Sequence, residues 1–394
     1  MRFSLTSYRF YNAKYILFAT FLIRLGFGVM LSTFPEYILH AHGIKIEEFG
    51  LISTFSPLFE FLTVLFFGIY IDKYGKKRSL MLGMVIATIA MFGISLSNNP
   101  YTLIPFVSMN GIASGIVVAS SLAIIIEITT VKNRGWLTGI FDSMNILGWA
   151  FGYFVGFIFL TLSTNFSLIY IFAGMLSFLG FISVYFLKFK DKNMYGEISI
   201  FKMLKKLFMN SEIVLTVIPW LIIYIFIGSF LIYLPIGVTG LKIPYWEIGI
   251  TIAVGSIALI KIQTFFGSLS DRLGRLTVIF IGGIGFTGLI LTLLYMRFYG
   301  LNTLAIIFIA IFGFMALAFA PSSLASLGDL APAEMGGTTM ALYSFVISGG
   351  MIIGIPATSF FYTAYGDNGL ILFFSTAGIV MMLLLFLKYL ISKK

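Results

Sequence analysis

The sequence contains no cysteine and little charge. The lack of cysteine among 394 residues excludes disulfide bonds and thiolate metal ligands within the chain. Charged residues make up only 10% of the chain and hydrophobic residues make up 59%, whereas soluble proteins average about 25% charged residues. This composition excludes an ordinary soluble globular protein and indicates a membrane protein.

Two further absences restrict the chemistry. Histidine occurs only twice, at His40 and His42, whereas a membrane-embedded enzyme would need clustered His, Asp or Glu at one depth, or an activated nucleophile. The phosphate-binding sequence Gly-x4-Gly-Lys-[Ser/Thr] is also absent. An enzyme is therefore a remote alternative, and we expect no metal site, no cofactor and no ATP hydrolysis.

Long apolar stretches are abundant. About 20 apolar residues cross a ~30 Å hydrocarbon core as a helix, and a helix satisfies its own backbone hydrogen bonds in lipid. The predicted spans are 15–39, 47–71, 79–97, 101–126, 136–160, 166–187, 212–238, 246–267, 276–296, 301–328, 337–362 and 368–390. The sequence therefore predicts an all-α membrane protein with twelve transmembrane helices.

The distribution of charge predicts the topology. The chain has 25 basic and 15 acidic residues, a net charge of +10. If the N-terminus is cytoplasmic and the spans alternate, 20 of those 25 basic residues fall in cytoplasmic loops and termini. This asymmetry follows the positive-inside rule, so we expect a multi-pass protein of the cell membrane with both termini in the cytoplasm. The basic residues are scattered over short loops, which argues against a nucleic-acid partner.

Two loops carry the same motif, Gly-x3-Asp-[Lys/Arg]-x-Gly-[Lys/Arg]. The first copy occupies 68–76 and the second occupies 267–275, 199 residues later. Both copies lie between the second and third apolar stretches of their halves. An acidic residue then follows each copy at similar spacing, Glu127 in the first half and Asp329 in the second. The second half therefore repeats the first in a parallel sense.

This arrangement resembles the major facilitator superfamily of secondary transporters, in which the motif joins helices 2 and 3. The resemblance covers nearly the whole chain and implies two six-helix bundles related by an axis along the membrane normal. The expected domains are an N-terminal bundle at 1–190, an amphipathic cytoplasmic linker at 191–211 and a C-terminal bundle at 212–394. The resemblance implies transport by alternating access.

The resemblance also implies a gate on the cytoplasmic side. The two motif aspartates would face the positive N-terminal ends of helices in the opposite half. The basic residue that ends each motif would pair with the acid that follows it, and the first glycine of each motif would allow close approach of the halves. The residues assigned to this gate are Gly68, Asp72, Lys76, Glu127, Gly267, Asp271, Arg275 and Asp329.

Charges within the predicted spans indicate functional positions, because a charged group near the bilayer centre is costly. Arg24 lies about 14 Å and Glu60 about 16 Å from the cytoplasmic ends of adjacent spans at 1.5 Å per residue. They are expected to pair, or to bind an anionic substrate and a proton respectively. Asp142 and Lys261 both lie about 9 Å from the cytoplasmic end, and we expect them to form a further gate pair.

The fifth span carries Gly139, Gly148, Gly152 and Gly156, which resembles part of the family's antiporter motif. The proline expected at Tyr153 is absent. Glycines at this spacing are also ordinary helix-packing positions. The pattern therefore favours packing and leaves an antiport signature open.

Two transport functions compete. Proton-coupled efflux of amphiphilic or drug-like compounds is favoured by the partial antiporter motif and by an aromatic interior, in which Tyr224 is expected to face the substrate. Val107 weakens this hypothesis, because drug antiporters usually carry arginine at that position. The alternative is symport or uniport of an organic anion by means of Arg24. We expect a monomer whose partners are a small-molecule substrate, protons and the lipid bilayer.

Overall fold

The computed structural model describes nine parts of the chain: residues 8–41, 43–97, 99–129, 131–162, 165–189, 209, 211–239, 244–330 and 336–392. Within these parts the regular structure is helical and contains no strand. The predicted linker 191–211 falls almost entirely outside the described residues.

The first half contains six long helices. The first of them continues directly into a π-helix at Tyr37–Ala41. The α-helices are α1 (Tyr8–Glu36), α2 (Ile46–Tyr74), α3 (Lys76–Leu96), α4 (Pro100–Ile128), α5 (Val131–Leu162) and α6 (Phe166–Tyr185).

The second half contains six further helical elements of less even length. They are α7 (Ser211–Thr239), α8 (Tyr245–Leu273), α9 (Arg275–Tyr299), α10 (Thr303–Ala316), α11 (Phe319–Leu330) and α12 (Gly336–Ser392). A two-residue turn separates α10 from α11, and one apolar stretch at Thr303–Ser326 runs through both.

The helices are consistent with twelve membrane crossings. Ten stretches among the described residues are long and apolar enough to span a membrane, and the last of them, Ser344–Ile391, has 48 residues. At 1.5 Å per residue that stretch would extend about 70 Å, more than twice a ~30 Å hydrocarbon core. Gly366, with φ 60° and ψ −149°, divides α12 into two. With α2 added, the all-α twelve-helix fold expected from the sequence is confirmed.

The two copies of the repeated motif share an unusual backbone conformation. Gly75, between α2 and α3, has φ 97° and ψ 141°, and Gly274, between α8 and α9, has φ 88° and ψ 142°. Only glycine adopts this region without strain. The second glycine of the motif is therefore required by the sharp turn that joins two long helices.

The chain divides into two compact units. One consists of Met1–Ile200 with Phe230–Ile257, and the other of Phe201–Ser229 with Ala258–Lys394. This grouping differs from a division of the sequence at the linker, because the segment 230–257 belongs with the first six helices. Each unit has its own buried core, with Tyr170 in the first and Trp220 in the second among the largest fully buried side chains.

Candidate functional site

Arg24 lies in the middle of α1 with only 7% of its surface exposed. Its Nε donates a hydrogen bond to Oδ1 of Asn145 on α5 at 2.8 Å. Its Nη1 donates to Oγ of Ser114 on α4 at 2.9 Å. Hydrogen bonds from an ionised group are stronger than those between neutral groups. The guanidinium is therefore held by two other helices of the same bundle.

Glu60 of α2 is the carboxylate nearest to this guanidinium, and it is also buried. Its Oε1 lies 3.9 Å from Nη2 of Arg24, which is longer than a direct hydrogen bond. Ser114 connects the two charges, because its hydroxyl accepts from Arg24 and hydrogen-bonds to Glu60. A buried charge needs a partner or must be neutralised. This loosely paired carboxylate is therefore suited to exchanging its Arg24 partner for a proton.

Two aromatic rings flank the guanidinium. The Cζ atom of Arg24 lies 5.3 Å from the ring centroid of Trp149 and 5.9 Å from that of Phe27. Both distances are within the range of a cation–π interaction. These rings stabilise the positive charge without neutralising it, so Arg24 can stay charged when Glu60 takes up a proton.

Glycines bring the helices close enough for these contacts. A Cβ atom on Gly148 of α5 would lie 2.6 Å from Cβ of Arg24. A Cβ atom on Gly115 of α4 would lie 3.0 Å from the backbone oxygen of Glu60. Gly152 likewise packs directly on Leu25 and Gly28 of α1. These contacts give the fifth-span glycines a packing role, and an antiport signature stays a prediction.

A small cavity opens beside Arg24. Its lining combines polar groups with an apolar wall and consists of Ile23, Arg24, Phe27, Asn110, Ser114 and Val117. A guanidinium, an amide and a hydroxyl can bind an acceptor or anionic group, and the apolar wall can bind a hydrocarbon or aromatic body. The arrangement can therefore hold an amphiphilic molecule.

The residues expected to form the gate lie at helix ends. Lys76 Nζ donates to Oε2 of Glu127 at 2.6 Å. In the second half, Nε of Arg275 donates to Oδ2 of Asp329 at 2.8 Å, and Arg275 also pairs with Asp271. A Cβ on Gly267 would meet nothing within 4 Å in its own surroundings. The gating role of these residues stays a prediction.

The side chains of the remaining gate residues of the first motif lie outside the described part of the structure. Gly68 and Asp72 belong to α2 by their backbone, and the structure describes nothing more of them. The expected contact of Asp72 with the eleventh span therefore stays a prediction.

Three other predicted residues are placed on helices without a demonstrated role. Asp142 is half-buried on α5, and Lys261 is exposed on α8. They belong to different compact units, so their pairing stays a prediction. Tyr224 is half-buried on α7, and its ring centroid lies 6.4 Å from that of Trp220.

The sequence analysis missed the neutral partners of Arg24. Asn110, Ser114 and Asn145 are uncharged polar residues inside apolar spans, a signal that a survey of charges alone overlooks. Asparagine is the stronger of these signals, because Ser114 could have bonded to its own helix backbone as many buried serines do. Trp149 and Phe27 could not be distinguished from the chain's many other aromatic residues.

Comparison with known proteins gives consistent results. The family profile described as Major Facilitator Superfamily matches residues 16–262 and 240–394. An uncharacterized MFS-type transporter of Methanocaldococcus jannaschii is 27% identical over 395 residues, which cover 96% of this chain and 98% of that protein.

Two named transporters are similar over different extents. The quinolone resistance protein NorA of Staphylococcus aureus is 27% identical over 169 residues, so the match spans less than half of either protein, 42% of each. A crystal structure of a D-xylose-proton symporter superimposes with a TM-score of 0.79 over 96% of this chain and 97% of that one, at 14% identity. The second similarity demonstrates the fold alone.

Proposed function

Because the chain belongs to the major facilitator superfamily, and is thus a transporter and not an enzyme, we propose that it exports amphiphilic compounds in exchange for protons. Arg24 and Glu60 form the coupling pair in this proposal. The cell membrane is the proposed location, and the cytoplasmic placement of both termini remains the expectation from charge.

The observation that carries the proposal is the loose ion pair in the centre of the first bundle. Glu60 and Arg24 are both buried, and their closest charged atoms are 3.9 Å apart. When Glu60 binds a proton, its attraction to Arg24 falls, and the guanidinium keeps Asn145, Ser114 and the two aromatic rings as partners. Protonation therefore changes the charge of the site without leaving Arg24 unsolvated.

This change of charge supplies a mechanism for exchange. With Glu60 ionised, the site is neutral overall, so a neutral or weakly charged amphiphile can enter the cavity at modest electrostatic cost. With Glu60 protonated, the site carries one positive charge, and binding of the same compound is altered. A ligand that binds the two states differently shifts the equilibrium between them, which couples proton movement to substrate movement.

The similarity to NorA supports this proposal to a limited degree. The printed name of that protein refers to quinolone resistance, which agrees with export of amphiphilic compounds. The match covers less than half of each chain, so the argument depends mainly on the site itself.

We predict that Glu60→Gln abolishes the response of transport to a pH gradient. Glutamine keeps the size and hydrogen-bonding capacity of the side chain but cannot exchange a proton. The measurement is flux of a panel of fluorescent amphiphiles into proteoliposomes, with and without an imposed pH gradient. Glu48→Gln is the matched control, because Glu48 is exposed in the first turn of the same helix.

Gradient-driven flux that persists in Glu60→Gln would contradict the proposal. The same assay separates a second candidate function, transport of an organic anion, which the polar cavity wall of Arg24, Asn110 and Ser114 favours. In that case carboxylate compounds would be transported and cationic amphiphiles would not. Arg24→Ala would then abolish flux with or without the pH gradient.

A further inference from the structure

The segment 230–257 packs against the first six helices, with which it forms one compact unit. It contains the last part of α7 and the first part of α8. The charge distribution assigns this end of the helices to the outside of the membrane. Any outer path to the first bundle must therefore open beside this segment.

A proline leaves one backbone carbonyl of this segment without its usual donor. In an α-helix the N–H of residue i+4 donates to the carbonyl of residue i. The residue four positions after Leu231 is Pro235, which has no N–H. The Leu231 carbonyl therefore needs a donor from elsewhere, because an unsatisfied buried carbonyl is costly.

Tyr153 of α5 supplies that donor. Its hydroxyl donates a hydrogen bond to the Leu231 carbonyl, and the side chain is only 2% exposed. Water is thus excluded from the position where it could replace the hydroxyl. Tyr153 stands where the antiporter motif of the family would carry proline, and proline could not make this bond.

Neighbouring contacts join the same elements. Phe157, one turn after Tyr153, stacks on Tyr245 of α8 with ring centroids 5.5 Å apart and an angle of 25°. Gly249 of α8 lies against Phe154, since a Cβ on this glycine would be 2.9 Å from Cα of Phe154. The hydrogen bond is the most directional of these contacts, because aromatic faces tolerate sliding and a buried O–H···O=C bond does not.

We propose that Tyr153 is the residue that holds segment 230–257 closed against the first bundle. Its hydroxyl replaces the N–H that Pro235 lacks, so the closed state satisfies a carbonyl that separation would leave to water or unpaired. When the segment moves away during transport, this bond is broken first among the directional contacts. The inference depends neither on the substrate nor on proton coupling.

The test uses the absence of native cysteine. Ala253→Cys places one thiol on α8, one turn after Gly249 at a buried position, and its reaction rate with a membrane-impermeant maleimide reports separation of the segment. In this background Tyr153→Phe should raise the labelling rate about tenfold, the effect of losing one buried hydrogen bond of average strength. An unchanged labelling rate would overturn the proposal.

Tyr170→Phe is the matched control. Tyr170 is also a fully buried tyrosine of the first six helices, and its hydroxyl accepts a hydrogen bond from Thr33 of α1. Its loss should leave the labelling rate within about twofold of the parent rate, because the bond lies within the first six helices. An equal increase in Tyr170→Phe would show general loosening of the bundle and would overturn a specific role for Tyr153.

Pro235→Ala tests the role of the carbonyl. Alanine restores the N–H at position 235, so the Leu231 carbonyl gains a donor within its own helix. In the Pro235→Ala background, Tyr153→Phe should raise labelling by less than about threefold, because the carbonyl stays satisfied. Equal effects of Tyr153→Phe in both backgrounds would exclude the proline-linked mechanism.

This second background also covers a folding failure. If Tyr153→Phe alone does not fold while the Pro235→Ala double variant does, the unsatisfied carbonyl is the cause, as the proposal requires. If neither folds, Tyr153 acts by another route and the proposal is overturned.

Discussion

The two halves of the chain build the same helix contact around different chemistry. In the first half, a Cβ on Gly148 of α5 would lie 2.6 Å from Cβ of Arg24 on α1. In the second, a Cβ on Gly350 of α12 would lie 2.5 Å from Cβ of Tyr224 on α7. Arg24 and Tyr224 therefore occupy equivalent places in the repeat.

The correspondence continues one helical turn further along each pair. Gly152 packs on the backbone carbonyl of Leu25, and Gly354 packs on that of Ile225. Each glycine lies four residues after the previous one, and each contacted residue follows directly on Arg24 or Tyr224. Close packing through small residues is how helices associate in lipid.

The difference between the halves lies in what the contact presents. Arg24 is charged and has Glu60 as a counter-ion, whereas α7 carries no charged residue after Glu212. At the next level Ser229 and Thr358 hydrogen-bond to each other at 2.7 Å, so the polar groups there are neutral. Repetition of the backbone contact with divergence of the side chain places coupling chemistry in the first half only.

The largest predicted effect breaks this comparison at its central residues. Arg24→Ala should lower transport at least tenfold while the protein still folds, because it removes the counter-ion of Glu60 and leaves room for water beside it. Tyr224→Phe should change transport by about twofold or less, since it removes only a hydroxyl. The measurement is flux in proteoliposomes, with folding checked by size-exclusion chromatography. Equal losses in the two variants would contradict a charge-specific role for the first half.

Some of this arrangement is predictable from sequence. Apolar length predicted the twelve crossings, and the shared motif predicted the repeat with its two positive-φ glycines. Equal depth on adjacent spans predicted that Arg24 and Glu60 would lie near each other, and the structure brings them within 3.9 Å.

The rest depends on helix rotation and packing, which periodicity does not determine in uniformly apolar spans. Asn145 meets Arg24 because α5 turns that face towards α1, and a helix that is apolar on all sides gives no moment from which to infer the face. The bond from Tyr153 to Leu231 joins residues 78 positions apart. Pro235 showed in the sequence that a carbonyl lacked its helical donor, but it could not indicate which residue supplies one.

The next prediction concerns the shared scaffold and should give equal effects in both halves. Gly148→Ala and Gly350→Ala should each lower stability by about 1–3 kcal/mol, because the added methyl group overlaps a packed neighbour. Gly139→Ala on α5 and Gly255→Ala on α8 are the controls, since a Cβ at either position meets nothing within 4 Å. These controls should be neutral or slightly stabilising, because alanine favours helix over glycine. Thermal unfolding in detergent measures all four, and a tolerant Gly350 would show that the two contacts are not equivalent.

The smallest predicted effect separates the two ion pairs that close the repeated motif. The Lys76 and Glu127 side chains are 11% and 17% exposed, whereas those of Arg275 and Asp329 are 27% and 60% exposed. An exposed pair contributes about 0–1 kcal/mol because water and salt screen it, and a more buried pair is screened less. Glu127→Gln should therefore destabilise the protein more than Asp329→Asn, which should lie within about 0.5 kcal/mol of the parent. Arg275 also keeps Asp271 as a partner when Asp329 is neutralised, which reduces the loss further. Thermal unfolding at low and high salt measures the difference, and a larger loss in Asp329→Asn would show that the second motif carries more of the stability than its exposure implies.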